Sequence, residues 1–168
     1  EPKNPDSIEQ INIIEKWVKK GINAIVVSAN DPDIIVPAMK RAQELGIKTS
    51  TWNSDIRDGR EYFLNQTSNQ RMGKCIVDMM IHSLNVSNGD FLIITSSLKS
   101  PNQSQWLKEM KNYSKKKYPT IVYKHIIECN EGAECAEKYT YDYLIKYPIT
   151  KGIFCLTGNS TPGVINAV

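Results

Sequence analysis

Apolar residues recur along this chain at two spacings in turn, every third or fourth position and then consecutively, which predicts helices alternating with buried strands. Ile8, Ile11, Ile14 and Val18 mark one helical face, opening after Asp6 or Ser7 and stopping at Gly21. Residues 23–28 follow as a short buried strand. Asp31-Pro32 predicts the start of a second helix, with Ile35, Met39 and Ala42 on one side and Gly46 closing it. Strands are expected over 47–52 and 62–65, with the polar turn 55–60 between them. Ser68 opens a helix whose apolar face reads as Met72, Cys75, Ile76, Met79 and Met80. The cycle continues with strand 91–95, a helix bearing Trp106, Leu107 and Met110, strand 121–127, helix 133–147 and strand 152–156. Thr161-Pro162 begins a last helix.

Strands of continuous apolar residues joined by helical crossovers imply an α/β fold, a parallel sheet with helices on both faces. Lys-Tyr-Pro at 117–119 and again at 146–148 each time ends a helix and leads into a strand, as an iterated unit would. The chain starts on a helix with no strand before it and ends on one with no strand after it, so an excerpt of a longer protein is expected. With 168 residues, 40% of them hydrophobic and 23% charged, the composition lies far from disordered chains, and length alone fits one domain. The net charge of +3 is spread thinly. Its one dense run, Lys115-Lys116-Lys117, falls at a helix end, where cations suit the helix dipole, and lacks the arginines and aromatics of a nucleic-acid surface. No stretch approaches the roughly 20 apolar residues that cross a membrane. Cys75 and Cys155 read as small core residues, while Cys129 and Cys135 flank a polar loop that leaves both a disulfide and free thiols open.

Ligands of open parallel sheets sit beyond the carboxyl ends of the strands. The positions so selected are Ser28-Ala29-Asn30-Asp31, Trp52-Asn53-Ser54-Asp55, Asn65-Gln66-Thr67-Ser68, Thr95-Ser96-Ser97 with Ser100-Pro101-Asn102-Gln103, and Thr157-Gly158-Asn159-Ser160. Amides and hydroxyls dominate and histidine is absent, a set that both donates and accepts hydrogen bonds and suits a polyhydroxylated ligand. Each residue alone is also an ordinary turn or cap residue; recurrence from strand to strand is what points to a site. No Gly-x-Ser-x-Gly, Gly-x-x-x-x-Gly-Lys-Ser/Thr or Gly-x-Gly-x-x-Gly occurs, so no nucleophile elbow and no nucleotide cofactor is expected. His82 falls in a helix and His125 in a strand without an evident nucleophile, and Asp31, Asp33, Asp55 and Asp58 are spaced as turn residues rather than metal ligands. The expectation is a binding protein with no cofactor, no metal and no enzymatic activity. Trp106 reads as core; Trp52, beside Asn53, either packs or offers an aromatic plane to a sugar ring.

Four segments together resemble type I periplasmic binding proteins, in the branch that includes autoinducer-2-binding and rhamnose-binding proteins. They are Val27-Ser-Ala-Asn-Asp-Pro-Asp33, Val36-Pro-Ala-Met-Lys40, Thr51-Trp-Asn-Ser-Asp55 and Asn102-Gln-Ser-Gln-Trp-Leu-Lys-Glu-Met110, and the resemblance runs through essentially the whole chain. It implies two Rossmann-like lobes with parallel sheets flanked by helices, incomplete here, with 1–66 in the N-terminal lobe, 67–168 in the C-terminal lobe and the ligand between them. It implies Asn53, Asp55, Asn102, Gln103, Leu156 and Gly158 as ligand-binding positions. Asn53 stands where autoinducer-2 and rhamnose proteins usually carry aspartate. Asn102-Gln103 resembles the rhamnose type, the autoinducer-2 type having Asp-Gln, and Leu156 and Gly158 replace a proline and an alanine of the autoinducer-2 proteins. Carboxylate hydrogen bonds are about twice as strong as neutral ones, so these amides serve a neutral deoxy sugar at least as well as autoinducer-2. The implied function is solute capture outside the cytoplasm, in the periplasm or as a cell-surface lipoprotein, by a monomer that hands its sugar to an ABC-transporter permease. The alternative on the same fold is the ligand-sensing domain of a signalling receptor.

Overall fold

Asp6 opens the first helix, α1 (Ser7–Lys19), its carboxylate accepting from the N–H groups of Ile8 and Glu9 at 2.7 and 3.3 Å. The computed structural model describes residues 6–130 and 132–168. They divide into two units, one running through Thr67 and taking in Lys99–Asn102, the other made of Ser68–Leu98 and Gln103–Val168.

The first unit continues with β1 (Ala24–Val27), α2 (Val36–Glu44), β2 (Lys48–Trp52) and β3 (Tyr62–Leu64), the strands parallel in the order β1-β2-β3. The register pairs Ile25 with Thr49 and Val27 with Thr51, so these side chains share one face. All are buried on the side where Ile14 of α1 and Met39 and Ala42 of α2 complete the core. Val26, Trp52, Tyr62 and Leu64 alternate onto the other face, where they are 47% to 68% exposed. Among the described residues, helices therefore cover this sheet on one face, not on both. The second helix also begins later than Asp31-Pro32 predicts. The Asp31 carboxylate does accept from the Asp33 and Ile34 N–H groups, at 2.9 and 3.2 Å, but this closes only a turn; regular helix starts at Val36 with Pro37 in its first turn.

The second unit comprises α3 (Asn69–Leu84), β4 (Gly89–Thr95), α4 (Pro101–Lys117) from Gln103 onward, β5 (Ile121–Glu128), α5 (Ala133–Lys146), β6 (Gly152–Cys155) and α6 (Thr161–Asn166). Its strands are parallel in the order β5-β4-β6, and here helices do lie on both faces. Phe91 and Ile93 of central β4 pack with Val77, Ile81, Leu107 and Met110 of α3 and α4. Leu92 and Ile94 face Ala136, Tyr143 and Val164 of α5 and α6. The buried stripe of α3 is Gly73, Val77 and Ile81, whereas Cys75 and Met79 are exposed. A helix turns about 100° per residue, which puts Cys75 roughly 200° away from Gly73. The stripe is dictated by close approach: a Cβ on Gly73 would lie 2.6 Å from Glu109 Cβ and 2.8 Å from the Met110 nitrogen, so α4 packs directly on the α3 backbone. Trp106 is only half-buried and does not join the core.

The lysine run at the end of α4 is tied down at one point. Asp78 of α3 accepts from Tyr113, Tyr118 and Lys117 at distances between 2.8 and 3.1 Å. Cys129 and Cys135 form a disulfide, Cα to Cα 5.4 Å, across the loop from β5 to α5. Among the described residues no helix is long and apolar enough to cross a membrane.

Candidate functional site

In the first unit, the segments leaving β1 and β2 are bonded to each other. Ser54 Oγ donates to the Ala29 carbonyl at 2.6 Å and the Ala29 N–H donates to the Ser54 carbonyl at 3.2 Å, with Ser54 buried. Gln10 of α1 braces the same place: its Nε2 donates to the Ser28 carbonyl at 2.9 Å and its Oε1 accepts from the Asn30 N–H at 3.2 Å. Asn53 sits between Trp52 and this latch at φ 60°, a left-handed conformation that asparagine tolerates better than most residues, and its N–H donates to the Leu64 carbonyl at 2.9 Å. Asp55 is held by Thr51 and Arg60. Burial alone would raise its carboxyl, but hydrogen bonds from Arg60, Thr51 and the Ile56 N–H, with the Arg60 charge, hold it below the usual carboxylate range. An open cleft of about 440 Å³ lies on the uncovered sheet face, lined by Val26, Trp52, Leu64, Asn65 and Gln66. Trp52 thus does not join the core and shares the lining of this cleft with Asn65 and Gln66.

In the second unit, Gln103 is buried and works inward. Its Oε1 accepts from Thr95 Oγ1 at 2.5 Å and from the Ser96 N–H at 2.8 Å, and its Nε2 donates to Ser96 Oγ at 2.7 Å. The amide therefore shapes the end of β4. Ser96 and Thr95 in turn accept from Asn130 and Cys129, each N–H at 2.9 Å, which joins the end of β5 to the same point. Asn102, in the first turn of α4 and counted with the first unit, accepts from Ser100 Oγ at 2.8 Å. Leu156 follows β6 with its N–H on the Ile94 carbonyl at 2.8 Å and its side chain buried in the α3–α4 core, which leaves its backbone as the part able to meet a ligand. Gly158 is exposed, and a Cβ there would meet nothing within 4 Å, so the alanine of the autoinducer-2 proteins would fit without adjustment.

Within the first unit both Asn53 and Asp55 follow β2, Asn53 bonded through its backbone to the end of β3 and Asp55 to Thr51 and to Arg60 ahead of β3. Within the second the structure brings Gln103 and Leu156 to the ends of adjacent β4 and β6. Gln10, Ser54 and Arg60 were not singled out from the sequence; Ser54 lay in a strand-end cluster, but nothing in the order of residues ties Gln10 or Arg60 to it. A second cleft, about 450 Å³, lies at the opposite end of the second unit's strands, against His82, Asn85, Ser87 and Tyr118. Among the described residues no group of His, Cys, Asp and Glu is placed to hold a metal ion. The strand-end side chains are mostly neutral hydrogen-bonding groups; of the carboxylates among them, Asp55 is paired with Arg60, Asp31 accepts from the Asp33 and Ile34 N–H groups and Glu128 accepts from the Leu98 N–H.

A family model described as a periplasmic binding protein domain matches residues 1–168, and the chain belongs to that family. An ABC transporter solute-binding protein from Clostridium phytofermentas, solved with bound L-rhamnose, superposes with a TM-score of 0.92 at 22% identity, over 99% of this chain and 52% of that one. LsrB from Clostridium saccharobutylicum, in complex with AI-2, gives 0.92 at 26% identity, over 98% of this chain and 53% of that one. A solute-binding protein from Burkholderia graminis, in complex with D-arabinose, gives 0.88 at 28% identity over 98% and 57%. The fold and family expected from the four sequence segments are thus the ones found, and the chain spans about half the length of the solved proteins it matches.

Proposed function

We propose that this chain is part of an extracytoplasmic solute-binding protein that captures a small sugar-like molecule without altering it, and delivers it as a monomer to an ABC-transporter permease. In this reading residues 1–66 and 67–168 contribute to two lobes that close on the ligand. Asn53 and Asn102 supply hydrogen bonds to its hydroxyls, Gln103 holds the end of β4 in place beside them, Leu156 and Gly158 line the last loop, and Asp55 acts from the base of the first. The observation that carries the proposal is the neutral set of amides and hydroxyls at the strand ends, held in place by bonds such as Ser54 to Ala29 and Gln103 to Ser96. Groups that donate and accept without charge match a polyol, and groups held beforehand lose little entropy on binding. The arabinose and AI-2 in the more similar relatives are small oxygenated molecules of that kind.

The test is a melting screen of the complete protein against L-rhamnose, D-arabinose, D-fucose and autoinducer-2, followed by calorimetry on whichever stabilises most. A ligand at a hundred times its Kd should add about 2.7 kcal/mol to stability. The sugar should be recovered unchanged. A flat screen at millimolar concentrations refutes solute capture of this class, and conversion of a bound sugar refutes the non-enzymatic reading.

A further inference from the structure

Asp55 is spoken for before any ligand arrives. Its Oδ1 accepts from Thr51 Oγ1 at 2.5 Å and from Arg60 Nε at 2.7 Å, and its Oδ2 accepts from Arg60 Nη2 at 2.7 Å. This fork closes the turn 55–60 on itself, with Ile56 buried within it. Farther along the turn, Asp58 accepts from the Gly59 N–H at 2.7 Å and pairs with Lys40 of α2 at 2.5 Å. Gly59 takes φ 82°, where other residues are strained, and a Cβ there would press on the Lys40 nitrogen and Met39 Cβ at 3.2 Å. Ahead of the turn, Ser54 is bonded both ways to Ala29. Asn53 hangs between the β3 end and these anchors.

We propose that Arg60, acting through Asp55, is a positioning residue that holds Asn53 ready for ligand, and so sets affinity without touching the ligand itself. This rests on the reading of Asn53 as a ligand contact. The bidentate guanidinium fixes both the distance and the plane of the carboxylate; a lysine would keep the charge and lose the fork. With the fork gone, the turn has more conformations to give up when the ligand binds, and the affinity falls by that ordering term.

The test is calorimetric titration of the complete protein with L-rhamnose, D-arabinose and autoinducer-2, using wild type, Arg60→Gln, Arg60→Lys, Asn53→Gly and the Arg60→Gln/Asn53→Gly double variant. Asn53→Gly removes the amide while accepting the left-handed backbone. Arg57→Gln is the control, since Arg57 lies in the same turn but pairs with Asp33 at 3.0 Å on the exposed surface. For the probe that wild type binds best, Arg60→Gln should weaken binding by about tenfold, Arg60→Lys nearly as much and Arg57→Gln hardly at all. In the Asn53→Gly background Arg60→Gln should cause little further loss, because residues acting through one another are not additive. A general loosening of the unit would instead weaken binding in either background, so additive losses overturn the proposal, as does wild-type affinity in Arg60→Gln. Should wild type bind none of the three probes, the solute-binding reading itself fails and takes this one with it.

Discussion

Replacing Gln103 by alanine should destabilise the second unit by about 3 kcal/mol, within a range of roughly 2–5. The substitution deletes an acceptor shared by Thr95 Oγ1 and the Ser96 N–H and a donor to Ser96 Oγ. Thr95, Ser96 and Gln103 are 1%, 3% and 4% exposed, so water does not replace the lost partner. Each buried donor left unpaired costs about 1–3 kcal/mol, and two are orphaned at once. Thr95→Val removes one of those donors while the Ser96 N–H keeps its acceptor, and should cost about 1 kcal/mol. The double variant should then cost less than the sum, because both changes delete the same bond. Urea denaturation can read this unit by itself: of the three tryptophans, Trp17 and Trp52 lie in the first unit and Trp106 in the second, so a Trp17→Phe/Trp52→Phe background reports the second alone. A loss below about 1 kcal/mol for Gln103→Ala, or full additivity with Thr95→Val, would refute the inward-working amide.

Three further outcomes follow from the geometry. A Cβ on Gly163 would lie 1.9 Å from the Ala133 carbonyl oxygen, so Gly163→Ala must push α6 off the start of α5; a lowered melting temperature of the second unit is expected, and an unchanged one contradicts that contact. Reducing Cys129–Cys135 frees a loop of sequence separation 6, for which loop-closure entropy gives about 2 kcal/mol, measurable as a drop in melting temperature with a phosphine reductant and absent in a Cys129→Ser/Cys135→Ser variant. Because the Asp55 carboxyl is held below its ordinary value of 3.8, its contribution to stability is complete above that value and is lost as pH falls through the lowered one. Arg60 and Thr51 face it directly, with Asp58 and Lys40 beyond Arg60. Acidification below about pH 4 should therefore lower the melting temperature of wild type more steeply than that of Asp55→Asn, and Asp78, which is also lowered, titrates equally in both.

The strands were legible because buried parallel strands are written as apolar runs, and the pattern around Ala24–Val27, Gly89–Thr95 and Gly152–Cys155 has no rival reading. Helix faces were less legible where the deciding residue carries no hydrophobic signal. Gly73 sets the contact of α3 with α4 by having no side chain, so of the expected stripe Ile76 and Met80 pack against the core while Cys75 and Met79 face solvent. The Asp31 cap was read correctly as a cap and wrongly as a helix start, because a side chain satisfying two N–H groups is the same local event in a turn and in a helix. For the candidate site, strand-end logic points to Asn53, Asp55 and Gln103, but which groups brace these segments, Gln10 on Ser28 and Asn30, Arg60 on Asp55 and Gln103 on Thr95, depends on how the fold brings the backbone together. Sequence spacing carries no record of that.

Asn53 and Asp55 answer different demands, and together they account for the neutrality of the first loop. At φ 60° the backbone at position 53 favours glycine, asparagine or aspartate before any ligand is considered. Asparagine meets that demand without the charge that aspartate would bring. Asp55 keeps its carboxylate, but Arg60 takes up both oxygens. The loop is left with an amide that both donates and accepts, on a backbone bonded at Leu64 and beside Ser54. On the proposed reading, a backbone so fixed limits how far the amide can move away from a ligand that lacks the matching hydroxyl, and leaving it unpaired in the closed form costs about 1–3 kcal/mol. Rigidity and selectivity are then one property: loosening the turn should narrow the gap between a good sugar and a poor one, and a Arg60→Gln variant that bound all sugars more weakly yet discriminated among them as sharply as wild type would separate the two.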